Sequence, residues 1–411
     1  MKAKQDSLGT DFSKLFSALV ATKLGDGLIA AAGPLLAANL TDDPFLIALM
    51  GALYMLPWLL FAIPIGTMVD RLNRRRVLTV VNFTRAAIAA LLTTFLATGT
   101  LTLAVFYFAL FLVGVCDVIS DTATQSLVPT MLRRDQLERG NSRIQAVDTI
   151  FMGFIGAPLG GFLFTIAAVT PWAVQSVSFL AASILVATIP ISLAAGAASA
   201  AARTENFVEQ MRGGVSYLWN HKKLLRLVIT TAALGFCFNV ATATQVLYAL
   251  KVQQVPESSY GLLATAGAIG ALGGAYVAHR ASQRYGRGLA LGIGITITAV
   301  FELLQGLSPN AWIYALCMML GGFGVAAWNI LLMSMYHSLI PNEIFGRIHG
   351  TRRTLVWGLM PIGAALGGLL SKVDLRLPYV VGGVISVAIA IFSLPFIRRL
   401  GDESEKAHPT S

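Results

Sequence analysis

The chain has 411 residues, of which 56% are hydrophobic and 12% charged. A soluble domain carries about 25% charged residues, so the composition excludes a soluble protein and points to an integral membrane protein. The net charge of +10 would suit a nucleic-acid binder, but its distribution along the chain gives it another meaning.

About 20 apolar residues cross a bilayer as a helix, and twelve such runs fit. The predicted spans are 12–37, 45–68, 77–97, 101–128, 144–167, 171–193, 224–250, 258–278, 288–307, 311–338, 350–371 and 378–397. The runs are continuous rather than alternating, so helices are expected and not barrel strands. The first run is too long for a secretory signal and lacks a small-residue cleavage site, so an uncleaved first span is expected.

Four basic residues fall outside the gaps on one side: Arg85, Lys251, Lys372 and Arg376. Every other lysine and arginine of the 30 lies on the N-terminal side of the alternating pattern. By the positive-inside rule both termini are cytoplasmic and the chain is a multi-pass protein of the cell membrane. The basic charge is therefore a topology signal, and no nucleic-acid partner is expected.

The longest gap divides the chain. An N-terminal six-helix half at 1–193, a linker at 194–222, a C-terminal six-helix half at 223–400 and a tail at 401–411 are predicted. A surface helix is expected near 206–219. The halves echo one another at an offset near 207 residues: Pro129, Arg143, Pro158, Gly160 and Gly161 against Pro341, Arg347, Pro361, Gly367 and Gly368. Paired halves around a midplane site are a transporter architecture.

Polar groups at membrane depth are costly, so each is a functional candidate. Asp26 and Asp117 lie near the midplane by residue count, at about 1.5 Å per residue. Gly25 and Gly27 flank Asp26 and are read as loosening the helix. Asp121 shares a face with Asp117 one turn closer to the cytoplasm, and Arg85 and Asp148 lie at a similar level. An Arg85–Asp121 pair is predicted, joined by Asp148, Asp70 and Arg74 in a cytoplasmic latch or in static pairing. A carboxyl in a cavity can exchange a proton for a cation, which makes Asp26 and Asp117 the proton-coupling candidates. Glu302, nearer the outside, is read as a solvated group. Tyr54, Trp58, Asn239, Gln245, Tyr248, Trp328, Asn329 and Trp357 are further cavity candidates, the aromatics suiting apolar or cationic cargo. Cys116, Cys237 and Cys317 lie in separate runs without paired spacing, and the histidines form no metal-site pattern.

The stretch Gly66-Thr-Met-Val-Asp70-Arg71-Leu-Asn73-Arg74-Arg75-Arg76 resembles the loop signature of the major facilitator superfamily, Gly-x-x-x-Asp-Arg-x-Gly-Arg-Arg. Asn73 stands where that signature has glycine, and asparagine suits a positive φ there. Gly153-Phe-Ile-Gly156-Ala157-Pro158-Leu-Gly160-Gly161 is similar to the fifth-helix signature of the superfamily's antiporters, with Ala157 in place of a glycine. Leu24-Gly25-Asp26, Leu127-Val-Pro129 and Gly346-Arg347 fit the branch that holds macrolide efflux pumps and the enterobactin exporter. The resemblance implies an all-α fold of twelve transmembrane helices in two pseudo-symmetric halves, working by alternating access. It implies that Gly66, Asp70, Arg71 and Arg74 latch the halves when the protein opens outward. It also implies export.

No Gly-x-x-x-x-Gly-Lys-Ser/Thr phosphate loop occurs, so secondary transport driven by an ion or substrate gradient is expected, with a proton gradient the favoured source and no cofactor. Two cargo classes remain open. One is amphiphilic neutral or cationic compounds, as in drug or macrolide efflux. The other is a secreted metabolite such as a siderophore. An enzyme is not expected, since no catalytic constellation is present, and the working unit is expected to be a monomer.

Overall fold

The computed structural model describes residues 8–133, 136–190, 216–340 and 342–407. Most of the expected linker lies outside the described residues. So do the side chains of Asp70, Arg71, Arg347 and Arg353, although their helices are described.

The described residues form helices and no strand. In chain order these are α1 (Thr10–Leu40), α2 (Pro44–Arg71), α3 (Arg74–Ala97) and α4 (Leu103–Met131). Helix α5 runs in three parts, Leu137–Val147, a π-helical stretch Asp148–Gly156, and Ala157–Ile166. Helices α6 (Thr170–Ala187) and α7 (Lys222–Thr242) follow, the latter extended by a π-turn at Tyr248–Val252. The chain closes with α8 (Glu257–Tyr285), α9 (Arg287–Gly306), α10 (Ala311–Leu339), α11 (Asn342–Ser371) and α12 (Leu377–Ala407). Eleven of these are long and apolar enough to cross a membrane, and α11 adds the shorter apolar stretch Val356–Ser371. The helices α5, α11 and α12 each run several residues past the predicted spans, because polar turns extend them beyond their apolar cores.

Large apolar side chains point outward along these helices, as Phe83 (58% exposed), Val177 (67%) and Phe392 (78%) do. That is the surface a lipid-embedded helix presents. The starts of α3, α4 and α10 are capped by side chains. Asn310 accepts from the Ile313 N–H at 3.0 Å, and Asn73 accepts from the Arg76 N–H at 3.1 Å. Asn73 has φ −71°, so the positive φ expected from the glycine signature does not occur. Asparagine serves there as an N-cap for α3. In the second half the matching turn is made by Gly286 with φ 81°, a backbone that glycine adopts at no steric cost.

By contacts the chain divides into two compact units. One comprises Met1–Thr41, Leu53–Thr204 and Glu257–Ala264; the other comprises Asp42–Ala52, Glu205–Pro256 and Thr265–Ser411. In the first, α1 crosses α5 at backbone contact. A Cβ on Gly27 would lie 2.6 Å from the Met152 carbonyl, and one on Gly156 would lie 2.7 Å from the Gly27 Cα. On the other side a Cβ on Gly25 would meet the Gln175 and Phe179 side chains of α6 at 3.3 and 3.5 Å. The glycines beside Asp26 therefore bring helices together, as small residues do in membranes, rather than loosening α1. Gly161 meets the start of α8, where a Cβ would lie 3.0 Å from the Gly261 nitrogen. In the second unit Gly368 repeats this against α2, with a Cβ 2.9 Å from the Phe45 Cα. The glycine pairs at 160–161 and 367–368 thus do matching packing work. Gly66 differs, since a Cβ there would meet nothing within 4 Å.

Gly27→Ala is expected to destabilise the protein by about 1–3 kcal/mol, the cost of overpacking a close contact. Thermal unfolding in detergent checks it, and a midpoint equal to that of the wild type would contradict the packing role.

Two ion pairs in the second unit hold the start of α2. Lys251 Nζ lies 2.6 Å from Asp42 and Lys372 Nζ lies 2.9 Å from Asp43. Hydrogen bonding from Lys251 lowers the carboxyl pKa of Asp42, and hydrogen bonding from Lys372 lowers that of Asp43. A depressed folded value means the contribution is present above the unfolded pKa and is lost as the pH falls through the folded one. The stability difference between wild type and an Asp42→Asn, Asp43→Asn double variant should therefore stay constant through neutral pH. It should shrink only below the ordinary aspartate value of 3.8. A difference that changes near neutrality, followed by thermal unfolding across pH, would contradict this.

Candidate functional site: a buried charge cluster and two cavities

Three helices of the first unit bring one guanidinium and two carboxylates together. Arg85 of α3, with its side chain 3% exposed, pairs through Nη2 with Asp26 of α1, and the same nitrogen lies 2.6 Å from Asp117 Oδ1 of α4. The Tyr54 hydroxyl of α2 donates to Asp117 Oδ2 at 2.5 Å. The Arg85 guanidinium also lies over the Phe179 ring of α6, 4.0 Å from its centroid. Helices α3 and α6 are pinned beside it, since Ser176 donates to the Ala86 carbonyl at 2.9 Å and Ser183 to the Thr79 carbonyl at 2.8 Å.

The predicted Arg85–Asp121 pair is not formed. Asp121 instead accepts from Gln125 at 2.7 Å. Matching helix levels by residue count ignores the length of the arginine side chain, which carries its head group about one turn (~5.4 Å) from its own Cα. Asp148 pairs with Lys23 at 2.7 Å and not with Arg85, whose carboxylate partners are Asp26 and Asp117. Arg74 opens α3, and Asp70 and Arg71 lie in the last turn of α2. Lys23 counts toward the inner-side charge in the sequence, which hides it as a residue of this site. Its spacing three residues before Asp26 places both on one helix face, which was the available signal.

These residues line a cavity of about 610 Å³ within the first unit. Asp26, Arg85, Asp117, Asp121 and Asp148 face it, together with Lys23, Tyr54 and Trp58. With both carboxylates ionised, the Asp26–Arg85–Asp117 cluster carries one surplus negative charge; one added proton makes it neutral. In either state each carboxylate keeps its contact with Arg85, so the cluster can take up and release a proton while the arginine stays paired.

A second cavity of about 460 Å³ lies within the second unit, between α7, α9, α10 and α11. Trp328, Asn329 and Trp357 line it, as does Glu302. Glu302 is 3% exposed, which overturns its reading as a solvated group: α9 turns it toward α12, where Ser386 donates to it at 3.3 Å. Tyr248, Asn239 and Gln245 line neither of these two cavities. Tyr248 is fully buried and donates to the Gln305 carbonyl at 2.8 Å, in a cluster with Tyr314 and Tyr379. Asn239 donates to the Gly235 carbonyl at 2.9 Å within its own helix, and Gln245 points at the Met318 sulfur at 3.9 Å. Of the fifth-helix motif, Gly153 lies in the π-helical stretch and Pro158, Gly160 and Gly161 in the final segment of α5.

Residues 9–408 match the family model of transmembrane secretion effectors, a branch of the major facilitator superfamily. The chain belongs to this family. The multidrug efflux pump Tap of Mycobacterium tuberculosis (strain ATCC 25618 / H37Rv) is 24% identical over 97% of this chain and 96% of that one. Macrolide efflux protein A of Streptococcus pyogenes is 20% identical over 85% of this chain and 87% of its own length. A solved bacterial homologue of the iron transporter ferroportin, in an inward-facing state, superposes with a TM-score of 0.75 at 16% identity. That match covers 96% of this chain and all of the other, and shows the shared facilitator fold. As a member of the superfamily the chain is a multi-pass transport protein.

Proposed function

We propose that this facilitator is a proton-coupled secondary transporter that exports amphiphilic neutral or cationic compounds by alternating access. The observation that carries the reading is the Asp26–Arg85–Asp117 cluster, buried at the wall of a cavity and one proton short of neutrality. Cargo and proton can compete for such a group, which couples their movements. The functions of the similar pumps, multidrug and macrolide efflux, agree with this cargo class. So does the second cavity, with its tryptophans.

The reading takes 1–193 and 223–400 as the two rocking halves, joined by 194–222, with both termini and the 401–411 tail cytoplasmic. Gly66, Asp70, Arg71 and Arg74 form the latch, the proton gradient is the energy source, and the monomer is the working unit. No cofactor and no chemical conversion of the cargo is involved. Siderophore export is the weaker alternative, because an anionic cargo would find Arg85 already engaged by two carboxylates.

Expression in a drug-sensitive bacterial host tests the reading. Steady-state accumulation of a fluorescent lipophilic cation or a labelled macrolide should fall, and a protonophore should restore it. Accumulation unchanged by expression of a membrane-inserted protein would refute export of this cargo class.

A further inference from the structure

Glu302 has no counter-charge. Its Oε2 accepts from Ser386 at 3.3 Å, its Oε1 is buried without a hydrogen-bond partner, and no ion pair reaches it among the described residues. The Oε1 atom sits against α12, 3.2 Å from where a Cβ on Gly382 would be. The titratable or charged groups around it are Cys237 of α7 and, on the same cavity, Arg352 of α11. The Arg352 guanidinium lies over the Tyr336 ring, 4.6 Å from its centroid. It makes no ion pair with Glu302, whose Oε1 has no hydrogen-bond partner.

The contrast with the first cavity is chemical. There Arg85 and Tyr54 answer the two carboxylates. Here a carboxylate would stand uncompensated in an apolar wall, which is among the costliest arrangements a protein interior can hold. Two events remove that cost: a proton on the carboxyl, or a cation in the cavity. The rest of the wall suits the cation. Phe238, Trp328 and Trp357 supply aromatic faces and Met360 a polarisable surface, and aromatic faces attract positive charge. The volume of about 460 Å³ falls within the range of drug-sized ligand sites.

We propose that this cavity is a binding site for a lipophilic organic cation and that Glu302 exchanges its proton for the cation's charge. The assignment builds on the export reading in treating the cavity as the cargo's. It differs in placing the charge-matching group in α9, outside the Arg85 cluster.

Tetraphenylphosphonium is the probe, since its charge is permanent and it carries no proton of its own. Its affinity for the purified full chain in detergent is measured across a pH series. Wild-type affinity should weaken toward acid pH, by up to about tenfold per pH unit for one exchanged proton. Glu302→Gln should bind about tenfold more weakly at alkaline pH and lose the pH dependence, whereas Glu302→Asp should keep it. Thermal unfolding confirms that each variant is folded. A folded Glu302→Gln with wild-type affinity and pH slope overturns the proposal, as does a wild type that binds no probe. If that variant also lowers drug accumulation in cells as the wild type does, only the Glu302 assignment fails and export stands. Glu302-dependent binding by a wild type that exports nothing keeps the site and removes the export reading.

Discussion

Replacing Asp117 by asparagine should sharply lower cargo uptake driven by an imposed pH gradient while leaving exchange of cargo for cargo intact. Asp117 touches both Arg85, at 2.6 Å, and Tyr54, at 2.5 Å. Asparagine keeps the shape, its carbonyl oxygen can accept from Arg85 and its amide can donate to the Tyr54 hydroxyl, but it can carry neither the charge nor the proton. Arg85 would then be balanced by Asp26 alone, and the cluster would be neutral without a proton. The proton drops out of the cycle, yet no buried charge is left unpaired, so the fold and the conformational change survive. Gradient-driven uptake in proteoliposomes should fall by about 5- to 150-fold, the range of a coupling free energy between two sites. Asp26→Asn should behave in the same way. Exchange counterflow of labelled cargo, measured in the same vesicles, separates lost coupling from lost transport. Full gradient-driven uptake by either variant would remove the cluster from the coupling mechanism.

Replacing Arg85 by methionine should have the largest effect on stability. The side chain is 3% exposed and is the shared partner of two carboxylates. Its removal leaves both facing one another in a buried site. Breaking a buried pair by deleting one partner costs about 3–5 kcal/mol, because the other charge is stranded. The protein should unfold at a clearly lower temperature in detergent. The loss should be repaired in large part by Asp26→Asn and Asp117→Asn in the same chain, since no stranded charge then remains. A triple variant no more stable than Arg85→Met would show that the arginine acts through packing on Phe179 and not through its charge.

Much of the fold was legible because its cause is periodic and long-range in the chain. Continuous apolar runs specify membrane helices, and α1, α2, α3, α4, α9 and α10 depart from their spans by only a few residues at either end. The glycines of α5 and α11 were legible as a repeat, and they pack in matching ways. Side-chain direction was not legible. The phase of α9 decides whether Glu302 faces lipid, water or α12, and a few degrees per residue over several turns are enough to change the answer. The same uncertainty hid Lys23 inside the cavity and sent Tyr248 to the wrong role. Arg85 was found as a buried base but matched to Asp121 and not to Asp26 and Asp117, since its reach exceeds the spacing of the candidates. Asn73 shows a local rule misapplied: the residue that tolerates positive φ is also a strong N-cap, and the start of α3 requires the cap.

The most direct test of the account is proton movement driven by cargo. Purified protein is reconstituted into vesicles holding a pH-sensitive dye, and a lipophilic cation or macrolide is added as a gradient. Wild-type vesicles should show a cargo-dependent pH change that disappears in Asp117→Asn, while that variant still exchanges labelled cargo. A wild type that moves labelled cargo across the membrane with no accompanying pH change would contradict proton coupling at the Asp26–Arg85–Asp117 cluster.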